Sequence, residues 1–202
     1  MEDSVKQTIQ TYDKYAKVYA DYTSEKLFQY QLNKFISLIK KSPKVLDAGC
    51  GAGRDSEYLA EEDCEVIGID LSEGLLKEAR ERAPKAKLQK MDFTQTSFKS
   101  EEFDGIWCMA SLCDIPKKET SEALKEFNRV LKKEGIVYIA VKKGEGEKII
   151  MKKLYENNPR FYSFFMEKEI EDLIKSSNFG IISSTTTDDD GTEWIEIFAR
   201  KL

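Results

Sequence analysis

The chain of 202 residues contains no histidine. Its four cysteines, at 50, 64, 108 and 113, have no metal-type spacing. No zinc site, and no metal of any kind, is therefore expected. Cys64 and Cys108 are expected to fill small apolar positions as free thiols, which suits a reduced cytoplasm. No apolar run is long enough to span a bilayer, so no membrane role is expected. Met1 to Gln10 is polar and has no secretory hydrophobic region, so the expected location is cytoplasmic. The formal net charge is −5 and the pI about 5.1, giving no global attraction to nucleic acid or anionic membrane. Lys and Arg still total 32, which leaves room for a local basic patch. There is no internal repeat or low-complexity tract, and the length suits one domain.

What is present is organised around residues 44–70. Val45 and Leu46 begin a short apolar run of the kind a buried parallel strand shows, and the run ends at Asp47. Glycines then alternate at 49, 51 and 53, where absent side chains allow a sharp turn and close approach of a ligand. Arg54 to Glu62 can form a helix whose N-terminus faces that ligand. A second apolar run, Val66 to Ile69, ends at Asp70. Strand, glycine turn, helix, strand and acid form the nucleotide-binding half of a doubly wound sheet.

A dinucleotide fingerprint needs a third glycine that this loop lacks. Counting from Gly49 it falls on Arg54, and counting from Gly51 it falls on Ser56. Asp47 and Asp55 would also repel a pyrophosphate at the helix N-terminus and suit a ligand with a positive end. The run Asp47-Ala48-Gly49-Cys50-Gly51-Ala52-Gly53 resembles the signature loop of class I S-adenosylmethionine-dependent methyltransferases, of the small-molecule type. The resemblance extends from about Tyr12 to the C-terminus. It implies a doubly wound, mostly parallel, seven-stranded α/β sheet of Rossmann-like form, with helices on both faces and N-terminal lid helices. Within one methyltransferase domain, 1–42 would be the lid, 43–142 the cofactor-binding core, and 143–202 the substrate-side insertion and a C-terminal hairpin.

The resemblance also implies site residues. The cofactor, S-adenosyl-L-methionine, would lie against Asp47, Ala48, Gly49, Cys50, Gly51, Gly53 and Arg54. Asp70 and Leu71 would follow at the ribose, and Met91, Asp92, Phe93 and Met109 further along. Three successive expected strands end in Asp, at 47, 70 and 92, and ligands in such sheets sit at those carboxyl ends. An ordinary polar strand end is the other reading of Asp92. Tyr12 to Tyr19 resembles the family's Tyr-Asp-x-x-Ala-x-x-Tyr lid helix. Tyr12, Tyr15 and Tyr19 are thus substrate-side candidates, or alternatively pack one helix on the domain. Ser111-Leu112-Cys113-Asp114-Ile115-Pro116 resembles the family's Ser-Leu-Leu-His-Val-Pro loop, with Asp114 in the place of His. Cys113 and Asp114 join the substrate side, although Asp114 could simply cap a turn.

Helices are expected over 4–20, 25–40, 72–83, 119–132 and 167–177, with a further one over Glu147 to Tyr155. Ser24 is expected to cap the second of these. Asp104 begins the fourth strand, on the edge away from the ligand, and is expected to be structural. Phe161 to Phe165 could be core or pocket wall. Gly180 should open a strand to about Thr187, and Asp188 to Gly191 a polar turn into Glu193 to Arg200. The expected function is methyl transfer to a small molecule by in-line displacement, achieved mainly by positioning, with no catalytic residue assigned. A non-catalytic S-adenosylmethionine-binding module and an RNA methyltransferase are the alternatives, the latter resting on Lys142, Lys143, Lys148, Lys152 and Lys153. The acceptor and the oligomeric state are not specified by these residues.

Overall fold

The computed structural model describes residues 2–189 and 191–202. Its centre is set by two short apolar segments, β1 (Lys44–Ala48) and β4 (Phe103–Met109). Nearly every residue of both is buried, so each needs cover on both faces and a strand on each side. The other strands are β2 (Glu65–Asp70), β3 (Lys87–Lys90), β5 (Leu131–Lys142), β6 (Glu147–Lys152), β7 (Asn158–Ser163), β8 (Phe179–Asp189) and β9 (Thr192–Lys201). The main sheet has seven strands in the order β3-β2-β1-β4-β5-β9-β8. β1 pairs in parallel with both β2 and β4, and β9 runs antiparallel between β5 and β8. This is the Rossmann-like arrangement expected from the sequence. The order reverses between β1 and β4, which places a crevice at the carboxyl ends of these strands.

Among the described residues, seven α-helices complete the fold: α1 (Asp3–Lys14), α2 (Ala16–Thr23), α3 (Gln29–Leu38), α4 (Arg54–Glu61), α5 (Glu73–Arg82), α6 (Lys117–Val130) and α7 (Glu167–Ser176). The core is close-packed. Trp107 of β4 stacks on Tyr138 of β5 at 4.0 Å and meets Phe35 of α3 edge-on at 5.4 Å. A Cβ on Gly105 would lie 2.6 Å from Phe35, so this glycine is required by helix-to-sheet approach. Cys64 and Cys108 are buried free thiols, as expected. Asp104 is structural: it accepts from the Lys44 amide and pairs with Lys40 and Lys132.

Several expected elements differ. The single helix over 4–20 is two, because Tyr15 leaves helical geometry at φ −113°, ψ 26°. Ser24 ends α2 instead of starting the next helix, which begins only at Gln29. The helix expected over Glu147 to Tyr155 is mainly strand β6, followed by a short 3-10 turn at Lys153–Tyr155. It pairs with β7, from Glu147 opposite Ser163 to Lys152 opposite Asn158, and cross-strand partners override the helical spacing. α6 ends at Val130, and β5 starts at Leu131 with a register shift before Ile136. Lys132 therefore serves Asp104 and does not sit on a helix C-terminus. Of the expected acidic turn at 188–191, Asp190 lies outside the described residues, as does Met1 in the lid segment.

α1 is held on two sides. Asp13, near its C-terminus, accepts from the Ser72 hydroxyl at 2.6 Å and from the Gly74 amide at 2.9 Å, at the N-terminus of α5. Ser72 in turn caps Leu75. On the other side, Thr11 donates to the Pro159 carbonyl, and Thr8 accepts from the Phe161 amide of β7. Asp13→Ala should loosen α1 by about 1 kcal/mol, the usual worth of a cap. Hydrogen exchange should then quicken about fivefold across residues 3–14 while β1 and β4 keep their protection. Equal protection in the variant would show that α1 does not depend on this anchor.

Candidate functional site

The loop after β1 is turned by glycine. Gly49, Gly51 and Gly53 all have positive φ, at 79°, 54° and 82°. A Cβ on Gly49 would fall 2.2 Å from the Ser111 hydroxyl, and one on Gly53 would fall 2.9 Å from Ala79. Both are therefore held by close packing as well as by backbone geometry. At Gly51 an added Cβ would meet the Tyr19 ring at 3.4 Å, an ordinary contact, so here the positive φ and not crowding favours glycine. The loop is tied back to the sheet by the Gly49 and Cys50 amides, which both donate to the Ile69 carbonyl.

One residue on, Asp70 ends β2. Its carboxylate accepts from the Gly51 amide at 3.0 Å and from the Ser72 amide at 2.8 Å. Burial raises its pKa, and donation by the Ser72, Gly51 and Leu71 amides opposes that shift. Asp47 lies deeper, where it accepts from the Ser56 hydroxyl at 2.6 Å. Burial, with Asp55 nearby, pushes its pKa up to about 8. Asp55 is itself neutralised: Arg54 pairs with it at 2.7 Å and the Trp107 indole donates to it at 2.9 Å.

A cavity of about 290 Å³ opens at the carboxyl ends of the strands. At one end it is lined by Gly49, Gly51, Asp70, Leu71 and Phe93. Met109, Ser111 and Asp114 form its middle, and Tyr12, Tyr19 and Arg54 close over it. The far end is Lys142, Lys152, Arg160, Tyr162 and Trp194. Asp114 sits in the 3-10 turn Leu112–Asp114 after β4. It accepts from the Tyr12 hydroxyl at 2.8 Å and from Arg160 at 3.1 Å. Arg160 also donates to the Tyr12 oxygen. Burial, reinforced by Asp70, holds the Asp114 pKa well above the usual carboxylate range. Tyr12 and Tyr19 meet edge-to-face at 5.2 Å.

The sequence candidates thus divide. Gly49, Gly51, Arg54, Asp70, Leu71, Phe93, Met109, Tyr12, Tyr19 and Asp114 share this one cavity. Asp47 and Cys50 line a narrower cleft beside it, together with Gly49 and Met109. Ala48 is a buried strand residue and Gly53 lies against α5. Met91 and Asp92 are not on the cavity wall; Asp92 is engaged by the amide and hydroxyl of Thr94, and Phe93 takes the wall position. Tyr15 faces away, donating to Glu156 at 2.6 Å and accepting from Asn158. Cys113 is buried behind the turn, where its sulfur accepts from the Lys142 amide. Burial pushes its thiol pKa up to about 12. Arg160 was not singled out by the sequence. Its one signal was a lone arginine beside an aromatic cluster, which becomes meaningful only once β7 faces α1.

Residues 45–135 match the family model described as a methyltransferase domain. A malonyl-acyl-carrier-protein O-methyltransferase of Salmonella typhimurium is 33% identical over 113 residues, 55% of this chain and 44% of that protein. A ubiquinone biosynthesis O-methyltransferase of an Azoarcus species is 40% identical over 84 residues, 39% of this chain and 36% of that protein. The chain thus spans less than half the length of either relative. Among solved structures, the 1,6-didemethyltoxoflavin-N1-methyltransferase of Burkholderia thailandensis aligns with a TM-score of 0.75. It is 20% identical, covering 96% of this chain and 87% of that one, and holds 1,6-didemethyltoxoflavin and S-adenosylhomocysteine.

The raised pKa of Asp47 makes a signed prediction. Between about pH 4 and pH 8 the unfolded chain ionises this carboxyl while the folded, ligand-free protein keeps it protonated. The folded state therefore loses stability as pH rises through that window. Asp47→Asn removes this loss, so its thermal midpoint should exceed that of the parent by more at pH 8 than at pH 5. A difference independent of pH would show that Asp47 titrates normally.

Proposed function

We propose that this chain is a class I S-adenosylmethionine-dependent methyltransferase and that it moves a methyl group from S-adenosylmethionine to a small-molecule acceptor. The observation that carries the reading is the Asp70 carboxylate. It ends β2 on the cavity wall, bonded to the Gly51 amide, in the same cavity as Asp114 and Tyr12. The residues present fit such a cofactor. Asp70 would accept from its ribose hydroxyls, and Leu71 and Phe93 would flank its base. The Gly51 turn on the cavity wall would take its amino-acid portion, near the acids Asp47 and Asp70 that suit a cationic end.

The cofactor supplies a methyl group already activated by a sulfonium. The chain has then to hold an acceptor in line, exclude water and receive a proton where the acceptor releases one. Positioning alone can lower the barrier by roughly 7–11 kcal/mol. Tyr12 and Tyr19, brought over the cavity by α1 and α2, exclude water. Arg160 and the Tyr12 hydroxyl hold Asp114 in one orientation. With no histidine in the chain, Asp114 is the group placed to receive an acceptor proton, and its raised pKa suits that role.

Calorimetry should show S-adenosylhomocysteine binding and no response to NAD. Asp70→Ala should weaken that binding by about one to two decades, the worth of roughly 1.5–3 kcal/mol for hydrogen bonds to a charged group. Asp104→Ala, on the opposite edge of the sheet, should lower the thermal midpoint and leave affinity near the parent value. An Asp104 loss equal to the Asp70 loss, with both variants folded by circular dichroism, would contradict the ligand position proposed here.

A further inference from the structure

Among the described residues, the far end of the cavity carries more positive charge than paired carboxylates compensate. Three cations surround one ring, that of Tyr162. The Arg160 guanidinium lies 4.7 Å from its centroid, and the Lys142 and Lys152 ammoniums each lie 5.4 Å from it. Lys142 also lies 4.3 Å from the centroid of Trp194. Arg160 is compensated by Asp114. Among the described residues, no carboxylate pairs with the ammonium of Lys142 or of Lys152. The neighbouring Lys143, by contrast, pairs with Glu193 at 3.1 Å. The other acid on this wall is Asp189, exposed at the rim.

Such an arrangement is costly when empty. Lys142 is half-buried, and burial, with Lys152 adding repulsion, lowers its pKa against the weaker pull of Asp114 and Asp189. Cation–π contact with Tyr162 and Trp194 offsets part of this cost but does not neutralise charge. A neutral acceptor would leave two like charges facing one another. An acceptor with anionic oxygens would relieve the repulsion and gain charge-assisted hydrogen bonds. The rings of Tyr12, Tyr162 and Trp194 in the same cavity supply flat apolar walls for a planar body.

We propose that the acceptor is a small acid with a planar or aromatic body, whose carboxylate or phosphate oxygens are held by Lys142 and Lys152 against Tyr162. The inference deepens the methyl-transfer reading and rests on it for the word acceptor. The anion site itself rests only on these side chains. Lys142 and Lys152 are binding residues here and take no part in moving a proton.

The test is calorimetry on the full chain, with and without S-adenosylhomocysteine, using benzoate, phenyl phosphate and the neutral benzamide as probes. At least one acid should bind about tenfold or more tighter than benzamide, equivalent to about 1.4 kcal/mol. Which acid binds better separates a carboxylate from a phosphate preference. Lys142→Gln combined with Lys152→Gln should erase the gap and leave S-adenosylhomocysteine affinity within about twofold, since neither lysine lies at the Asp70 end. If the double variant melts early, Lys152→Gln alone should shrink the gap by about threefold, less than the full loss because Lys142 remains. Equal binding of acid and amide, binding of neither acid, or a gap that survives the substitutions overturns the proposal. Absence of S-adenosylhomocysteine binding with the acid gap intact would remove the cofactor reading and leave the anion site standing.

Discussion

The site depends on one carboxylate. Asp70 accepts the Gly51 amide of the loop after β1 and the Ser72 amide at the head of α5. It thereby joins two successive β–α connections at the carboxyl edge of the sheet. The Gly49 and Cys50 amides reach the preceding carbonyl, that of Ile69, so the loop is bound to the end of β2 through main chain and side chain together. A buried carboxylate is tolerable only because these amides pay back part of its lost hydration. The same oxygens stand at the cavity wall, where a ligand hydroxyl can share them. Loop shape and the proposed ligand recognition thus draw on the same carboxylate.

The roof is built by the same economy of contacts. Asp13 of α1 reaches the head of α5 through Ser72 and Gly74. Tyr12, one residue earlier, turns to Asp114, and Thr8 and Thr11 grip β7. A single helix thus reaches the head of α5, Asp114 in the middle of the cavity, and β7. The β6–β7 hairpin supplies Lys152, Arg160 and Tyr162, and β5 and β9 supply Lys142 and Trp194. The Asp70 end comes from contiguous motifs, whereas the Lys142 end is assembled from β5, the β6–β7 hairpin and β9.

That difference explains what the sequence could and could not disclose. Asp47, the glycines and Asp70 lie in one strand–turn–helix–strand unit, so spacing alone places them together. The seven-strand sheet follows from buried runs such as Ile67 and Ile106 and from the final hairpin. The Glu147 to Tyr155 segment reads as a helix in sequence, and pairing with β7 makes Glu147 to Lys152 a strand. Tyr15 shares helical spacing with Tyr12 and Tyr19, but the break at its own position turns its hydroxyl to Glu156. Arg160 acquires meaning only from Asp114 and Tyr12, which lie 46 and 148 residues away in the chain. Long-range contacts of this kind leave no periodic trace.

The most direct measurement is a crystal structure of the full chain with S-adenosylhomocysteine. The account predicts the ribose on Asp70, the base beside Phe93, and the sulfur facing the part of the cavity bounded by Asp114 and Tyr12, with Lys142 and Tyr162 beyond it. A ligand bound with its ribose away from Asp70, or outside this cavity altogether, would contradict it.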